Sequence, residues 1–390
     1  MKVALLTSDT REVIRDYGAS NPSFGTAPQA LLEGFALIPD NIEVHVISCL
    51  QKKPVSSPPK LADNIYYHAM HVPKAGWMRT GYRGCIHAVR RKLREIQPEI
   101  VHGQGSERDC AMSAVFSGFP NILTLHGVMS SICEITNSKP LSYYWFAKHL
   151  ETIALRRTRG VIAISPYVCR LVAGRTPQTW SIPNALRLPF FAPHLLKPHA
   201  QRCPRLINVG VISPNKRQVE LLEAFTQLRE EVDFTVTFVG KGDPHNVYVQ
   251  RFLSSLNTAN TLHGGFEHRD FVSAEGLAEL YDCSDALIHF SREESFGLIF
   301  AEALARNLPV FASDVGAIRE IAKDAPLCHI FGPNDFRRMT SSLAEWIRAG
   351  NHLASRQQVP NSVVESRYHP RVVAKKHLQT YQSVLKTASH

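Results

Sequence analysis

No stretch of this sequence stays apolar for anything near the roughly 18–20 residues that a membrane-crossing helix requires, which excludes a helical spanning protein. Close cysteine pairs are missing too. The eight cysteines stand singly at positions 49, 85, 110, 133, 169, 203, 283 and 328, without the spacing of a zinc site or a redox motif, so no metal-binding pattern is present. Small buried hydrophobes, reduced, in a cytoplasmic protein, are the expectation. An Asp-x-Asp pair of the kind that holds a divalent cation is absent, as is any RNA- or DNA-binding motif, so no nucleic-acid partner is expected. The start, Met1-Lys2-Val3-Ala4-Leu5-Leu6-Thr7, lacks the small-residue cleavage site of a secretory signal and reads as a first buried strand.

What is present is the composition of an ordinary enzyme over 390 residues, 44% hydrophobic and 20% charged. That length exceeds one core and predicts two domains of about 150–200 residues each. Short β-rich runs at Val3–Thr7, Glu43–Ser48, Ile65–Met70, Ile100–His102, Ile122–His126 and Val161–Ser165 alternate with helical patterns, as in a parallel sheet covered by helices. A proline-rich stretch without periodicity runs from Pro183 to Pro204 and marks a domain boundary. A second alternation follows, with strands expected at Arg205–Gly210, Asp233–Gly240, Thr261–Gly265, Ala286–Ser291 and Pro309–Asp314. The predicted division is 1–190, 191–368 and a crossover helix over 369–390. Two open α/β sheets facing each other would enclose a cleft beyond their strand ends, where ligands of such sheets bind.

The most informative segment is His289-Phe-Ser-Arg-Glu-Glu294-Ser295-Phe296-Gly297-Leu298-Ile299-Phe-Ala-Glu302-Ala-Leu-Ala, followed by Leu308-Pro-Val-Phe-Ala-Ser-Asp314-Val-Gly316. A strand ends near Ser291, the chain turns through Glu294–Gly297, and a helix begins at about Gly297. A diphosphate placed there would meet free amide donors, those of Leu298 and Ile299, and the positive end of the helix dipole. Two glutamates near a helix start are commonly mere dipole partners; the surrounding string outweighs that reading here. A glycosidase pair would need its two acids on opposite sides of one bond, whereas this pair flanks a phosphate-binding turn.

This segment resembles glycosyltransferase family 4, in its E-x-F-G start, its second glutamate eight residues on, and its following Pro-Val strand and glycine turn. Leu206-Ile-Asn-Val-Gly210-Val-Ile-Ser-Pro-Asn-Lys216-Arg217 is similar to the family's V-G-R-L-x-x-x-K-G segment, with Val211 at the arginine position and Arg217 at the second glycine. Asn121-Ile-Leu-Thr-Leu-His126-Gly127 resembles the family's strand-His-Gly segment. Pro98-Glu-Ile-Val-His102-Gly-Gln-Gly resembles its acceptor-side strand, and Ser23-Phe-Gly25-Thr-Ala-Pro28 resembles its first glycine loop with one glycine of two.

The resemblance implies an α/β protein of the GT-B type, two Rossmann-like domains with a C-terminal helix crossing back to the first. It implies a retaining, metal-independent transfer of a sugar from a nucleotide-diphosphate donor, itself a substrate, with no cofactor, to a saccharide or lipid-linked acceptor. Glu294 would hydrogen-bond the donor sugar, with Ser295 and Phe296 beside it, and Glu302 the ribose. Lys216, joined by Arg217, would contact the leaving diphosphate. His126 would position the sugar, His102 would serve the acceptor side, and Gly25 would admit the donor. An inactive GT-B partner subunit and a GT-B nucleotide-sugar epimerase are the alternatives.

Charge is uneven. Of a net +10, residues 1–190 carry 22 Lys and Arg against 13 Asp and Glu, leaving the remainder near neutral. Lys74, Arg79, Arg83, Arg90, Arg91, Lys92 and Arg94 cluster with a single acid, Glu95, and with Trp77 and Tyr82; Tyr143-Tyr-Trp-Phe146 before Lys148 is a second aromatic candidate. Peripheral contact with an anionic inner membrane face is the expectation, and the family resemblance implies a place in bacterial surface polysaccharide or glycolipid assembly.

Overall fold

The structure is a computed structural model that describes residues 1–193, 203–323, 325, 327–353 and 359–388. Contacts divide the chain into two units, one of Met1–Arg187 with the segment from Arg367 onward, the other of Leu188–Ser366. Part of the proline-rich stretch, residues 194–202, lies outside the described residues.

The first unit is built on an eight-stranded sheet: β1 (Lys2–Leu6), β2 (Glu43–Leu50), β3 (Lys60–Ala62), β4 (Ile65–His71), β5 (Ile100–Gln104), β6 (Asn121–Leu125), β7 (Val161–Ala163) and β8 (Thr179–Ser181). Its order is β3-β4-β2-β1-β5-β6-β7-β8, parallel throughout except for β3 against β4. Helices on both faces account for the nearly continuous burial of its central strands. Val3, Leu5, Val44, Val46, Ile100, Ile122 and Ile162 pack with Leu31 and Phe35 of the Thr26–Ala36 helix and with Val373, Tyr381 and Val384 of the C-terminal Pro370–Ala388 helix. Each fully buried side chain of this size contributes about 1.5–3 kcal/mol over its exposed state. Gly34 explains how closely those two helices approach: a Cβ there would lie 2.3 Å from the carbonyl oxygen of Pro370. The C-terminal helix thus returns to the first unit.

The second unit holds β9 (Arg205–Val209), β10 (Thr235–Val239), β11 (Phe266–Arg269), β12 (Ala286–His289), β13 (Val310–Ser313) and β14 (Cys328–Phe331). These form one parallel sheet in the order β11-β10-β9-β12-β13-β14. Phe225, Phe234, Phe238 and Phe252 form an aromatic core against it. The strand expected at Thr261–Gly265 is corrected: Thr261 and Leu262 end the Val247–Leu262 helix, whose buried positions Val249, Phe252, Leu256 and Ala259 repeat at helical spacing. The paired Gly264 and Gly265, both at positive φ, stop that helix, and β11 begins directly after them.

Candidate active site

In the second unit, two neighbouring strand ends set the first loop. Gly240 ends β10 so close to β9 that a Cβ there would lie 1.9 Å from the oxygen of Gly210. The β9 chain then turns through Val211–Arg217 into the Gln218–Leu228 helix. Buried Gln218 pins that turn, donating to the oxygens of Gly210 (3.2 Å) and Val211 (3.1 Å) and accepting from the Ser213 amide (3.2 Å). Asn215 ties it to the loop after β12, since its backbone carbonyl oxygen accepts from Arg292 N at 2.8 Å and its Nδ2 donates to Glu293 O at 3.3 Å.

These ties bring Lys216 and Glu294 together. Lys216 Nζ is ion-paired with Glu294 Oε1, and the same oxygen receives His289 Nε2 at 2.6 Å and Ser291 Oγ at 3.0 Å. All three donors converge on Oε1; Oε2 takes none of them. Burial alone would push the Glu294 carboxyl up, but the Lys216 charge and the His289 contact outweigh it and hold the group well below the usual carboxylate range. The Glu294 backbone is equally constrained. Ala317 N donates to Glu294 O at 2.9 Å, and Gly316, at φ 54°, has no room for a Cβ, which would fall 1.9 Å from that oxygen.

Gly297, at φ 89°, caps the Leu298–Ala305 helix, and a Cβ on it would meet Ile318 Cδ1 at 2.7 Å. Leu298 and Ile299 occupy the first turn, whose amides have no intrahelical acceptor, and both residues are half-buried. Ser295 is half-buried and Phe296 buried in the turn before them. Glu302, 3% exposed, neighbours Tyr281, whose hydroxyl is pushed well above its ordinary range by burial first and by the Glu302 carboxylate second.

Arg217 is corrected. Its guanidinium donates to Pro333 O at 2.7 Å and Asn334 Oδ1 at 3.1 Å, stacks on Phe336 and pairs with Glu220, so its charge is spent fastening the β14 loop. It does not join Lys216 as a second phosphate cation. Val211, at the arginine position of the resembled motif, is 63% exposed.

In the first unit, His126 follows β6. Its Nε2 lies 2.8 Å from Gln104 Oε1, an acceptor, so Nε2 carries the proton; Nδ1 is buried with no hydrogen-bond partner of good geometry. Burial pushes the imidazole down to about 4, with Asn184 opposing the shift. The ring is neutral at pH 7 and presents a bare acceptor nitrogen. His102 is corrected as an acceptor contact: it is fully buried, with Nδ1 2.6 Å from Tyr381 Oη and Nε2 2.7 Å from Thr124 Oγ1. It binds β5 to β6 and to the C-terminal helix. Gly25 is exposed at the start of the Thr26–Ala36 helix, where a Cβ would make only an ordinary 3.7 Å contact.

Trp77 and Tyr82 are corrected as surface aromatics. Both are buried, with Trp77 Nε1 donating to Val72 O at 2.9 Å. Among the described residues of the first unit, the exposed aromatics are Tyr143, Tyr144 and Phe146 on the Tyr143–Arg157 helix, and Ile135 and Leu141 are exposed aliphatic residues just before it. His289, Ser291 and Gln104 went unread in the sequence. The available signal was a polar residue at the carboxyl end of an apolar strand, as His289 is after Ala286-Leu-Ile.

Both halves of the chain match family models. Residues 34–188 match the model described as Glycosyltransferase Family 4, and residues 197–358 match that of Glycosyl transferases group 1. The chain belongs to these glycosyltransferases, and its fold is the GT-B fold. A sucrose-phosphate synthase from Thermosynechococcus elongatus superposes with TM-score 0.77 at 18% identity, over 99% of this chain and 100% of that one. Anabaena HepE, solved with UDP-glucose, superposes with TM-score 0.70 at 15% identity, over 98% and 100%. Among curated proteins, the serotype-specific mannosyltransferase WbdA of Escherichia coli is 36% identical over 31% of this chain and 15% of its own length. The phosphatidyl-myo-inositol mannosyltransferase of Mycobacterium leprae is 26% identical over 45% of each. The matches thus span less than half the length of these curated relatives.

Proposed function

We propose that this glycosyltransferase takes a nucleotide-diphosphate sugar in its second unit and transfers the sugar, with retention of anomeric configuration and without a metal ion, to a saccharide or lipid-linked acceptor hydroxyl. The observation that carries the reading is the convergence of Lys216, Glu294 and the Gly297 helix start within one pair of stapled loops. The first-turn amides and Lys216 supply positive charge where a leaving diphosphate gains negative charge. Glu294, anchored through Oε1, keeps Oε2 for a sugar hydroxyl. Glu302 accepts from the ribose. The leaving phosphate oxygen takes the acceptor proton, which asks for no enzyme nucleophile. In the first unit, His126 Nδ1 offers a neutral acceptor to a substrate hydroxyl.

The first unit takes the acceptor and meets an anionic membrane through the exposed face of the Arg83–Ile96 helix and the aromatics Tyr143, Tyr144 and Phe146. The deciding experiment is a binding and hydrolysis screen of the purified protein across UDP-, GDP- and ADP-sugars, beginning with glucose and mannose donors. Saturable binding of one donor that weakens at least tenfold in Lys216→Met supports the reading. No binding of any donor, or release of sugar product only with inorganic phosphate, overturns it.

A further inference from the structure

Three side chains far apart in sequence meet in the interior of the first unit. Cys49 lies near the carboxyl end of β2, Cys85 in the first turn of the Arg83–Ile96 helix, and Asp109 at the start of the Asp109–Val115 helix. One ligand atom from each, two Sγ and one carboxylate oxygen, all lie within 4.8 Å of one another. Their residues are 4%, 0% and 5% exposed. We propose that Cys49, Cys85 and Asp109 form a buried site for a thiophilic divalent cation, zinc being the ion their chemistry suits best.

Donor type decides the class of ion. Two sulfurs and one carboxylate oxygen match zinc, whereas calcium and magnesium take oxygen ligands throughout. Separation agrees with this. Ligand bonds of about 2.0–2.3 Å in a tetrahedron place neighbouring donors about 3.3–3.8 Å apart, so the three atoms reach an ion with side-chain adjustments of under about 1 Å. Three protein ligands leave one tetrahedral position for a small ligand. Binding displaces the protons of both thiols, and no electron moves.

The ion would clamp β2, the Arg83–Ile96 helix and the chain leaving β5 to one another. Zinc would be structural there, independent of the diphosphate site proposed for the second unit. Sequence reading could not find it, because Cys49 and Cys85 are separated by all of β3 and β4.

The test uses untagged full-length protein from zinc-supplemented cells, with metal content measured after gel filtration. The expected result is about one equivalent of zinc per chain, released when both thiols are titrated by a mercurial. Protein produced with cobalt should show thiolate-to-cobalt charge-transfer absorption and the visible bands of a tetrahedral ion. Cys49→Ser and Cys85→Ser should each lose the metal and that absorption, and Asp109→Asn should hold the metal at least about tenfold more weakly. Because these variants change the core, the wild-type measurements decide alone. Wild-type protein without stoichiometric zinc that also gives no charge-transfer band with cobalt refutes the site. So does an intact mass two hydrogens below the reduced chain, which would show that Cys49 and Cys85 are joined to each other.

Discussion

Lys216→Met keeps the aliphatic stem of the lysine and removes only its charge. In the ground state the loss falls on Glu294, which is 9% exposed and retains His289 at 2.6 Å and Ser291 at 3.0 Å. Stripping one partner from a fully buried ion pair costs about 3–5 kcal/mol. The Lys216 side chain is 20% exposed and two donors remain, so the cost to folding should be nearer about 1–2 kcal/mol. In the transition state the variant lacks the charge that meets the leaving diphosphate, a loss of about 2.7–4 kcal/mol, or roughly 100- to 1,000-fold in kcat. The two effects separate by assay: urea unfolding reports the first and steady-state transfer the second. Glu294 titrates below its unfolded value, so the stability that it contributes is complete above about pH 4.5 and is lost as the pH falls through the folded value. Losing Lys216 should therefore flatten the acid side of the stability profile. A purified, folded Lys216→Met protein with kcat/KM within twofold of the parent would refute the reasoning.

Glu294→Gln should abolish transfer, by at least about 100-fold, with an unchanged circular dichroism spectrum, and full turnover would remove Glu294 from the site. Transfer should survive chelation by EDTA; activity lost there and restored by magnesium or manganese would show that Lys216 and the helix start do not suffice. Gly34→Ala should lower stability by about 1–3 kcal/mol in urea unfolding, since its Cβ would strike the Pro370 backbone, and an unchanged midpoint would contradict the close approach of those helices. Binding to anionic vesicles should fall with salt and should weaken when Arg90, Arg91, Lys92 and Arg94 become Ser, each basic residue contributing about 1 kcal/mol. Equal sedimentation with neutral and anionic vesicles would reject the membrane contact.

Much of the architecture was legible because buried parallel strands write themselves as short apolar runs, as at Val3–Leu6 and Ala286–Ile288. Thr261–Gly265 misled because its β-branched start and glycine pair resemble a strand with a turn, while the helical period that governs it lies upstream at Val249, Phe252 and Leu256. Half-exposed β8, Thr-Trp-Ser, lacked the apolar signature, and β14, Cys-His-Ile-Phe, is a run of four residues broken by a histidine. The loop residues Lys216, Glu294 and Gly297 were singled out through a motif. What a motif cannot give is where a long side chain goes: Arg217 follows Lys216 directly, yet its αL backbone turns its guanidinium toward Pro333 and Phe336. Trp77 and Tyr82 misled in the same manner, since basic neighbours in sequence do not fix which way a ring points.

The correction at His102 changes what the C-terminal helix does. Tyr381 meets His102 Nδ1 at 2.6 Å, Gln104 Nε2 lies 3.1 Å from His102 Nε2, and Gln104 Oε1 receives His126 Nε2 at 2.8 Å. Gln104 can present its oxygen to His126 only while its amide nitrogen faces His102. That orientation fixes the proton of His126 on Nε2 and leaves Nδ1 as the acceptor. His102 and His126 are both kept neutral by burial, so the chain of contacts carries no charge at neutral pH. A residue of the last helix thus stands at the far end of a chain of contacts that reaches a histidine at the end of β6. Gly34 lets that helix approach backbone to backbone at Pro370. The contacts around His126 in the first unit are thus spread over β5, β6 and the last helix.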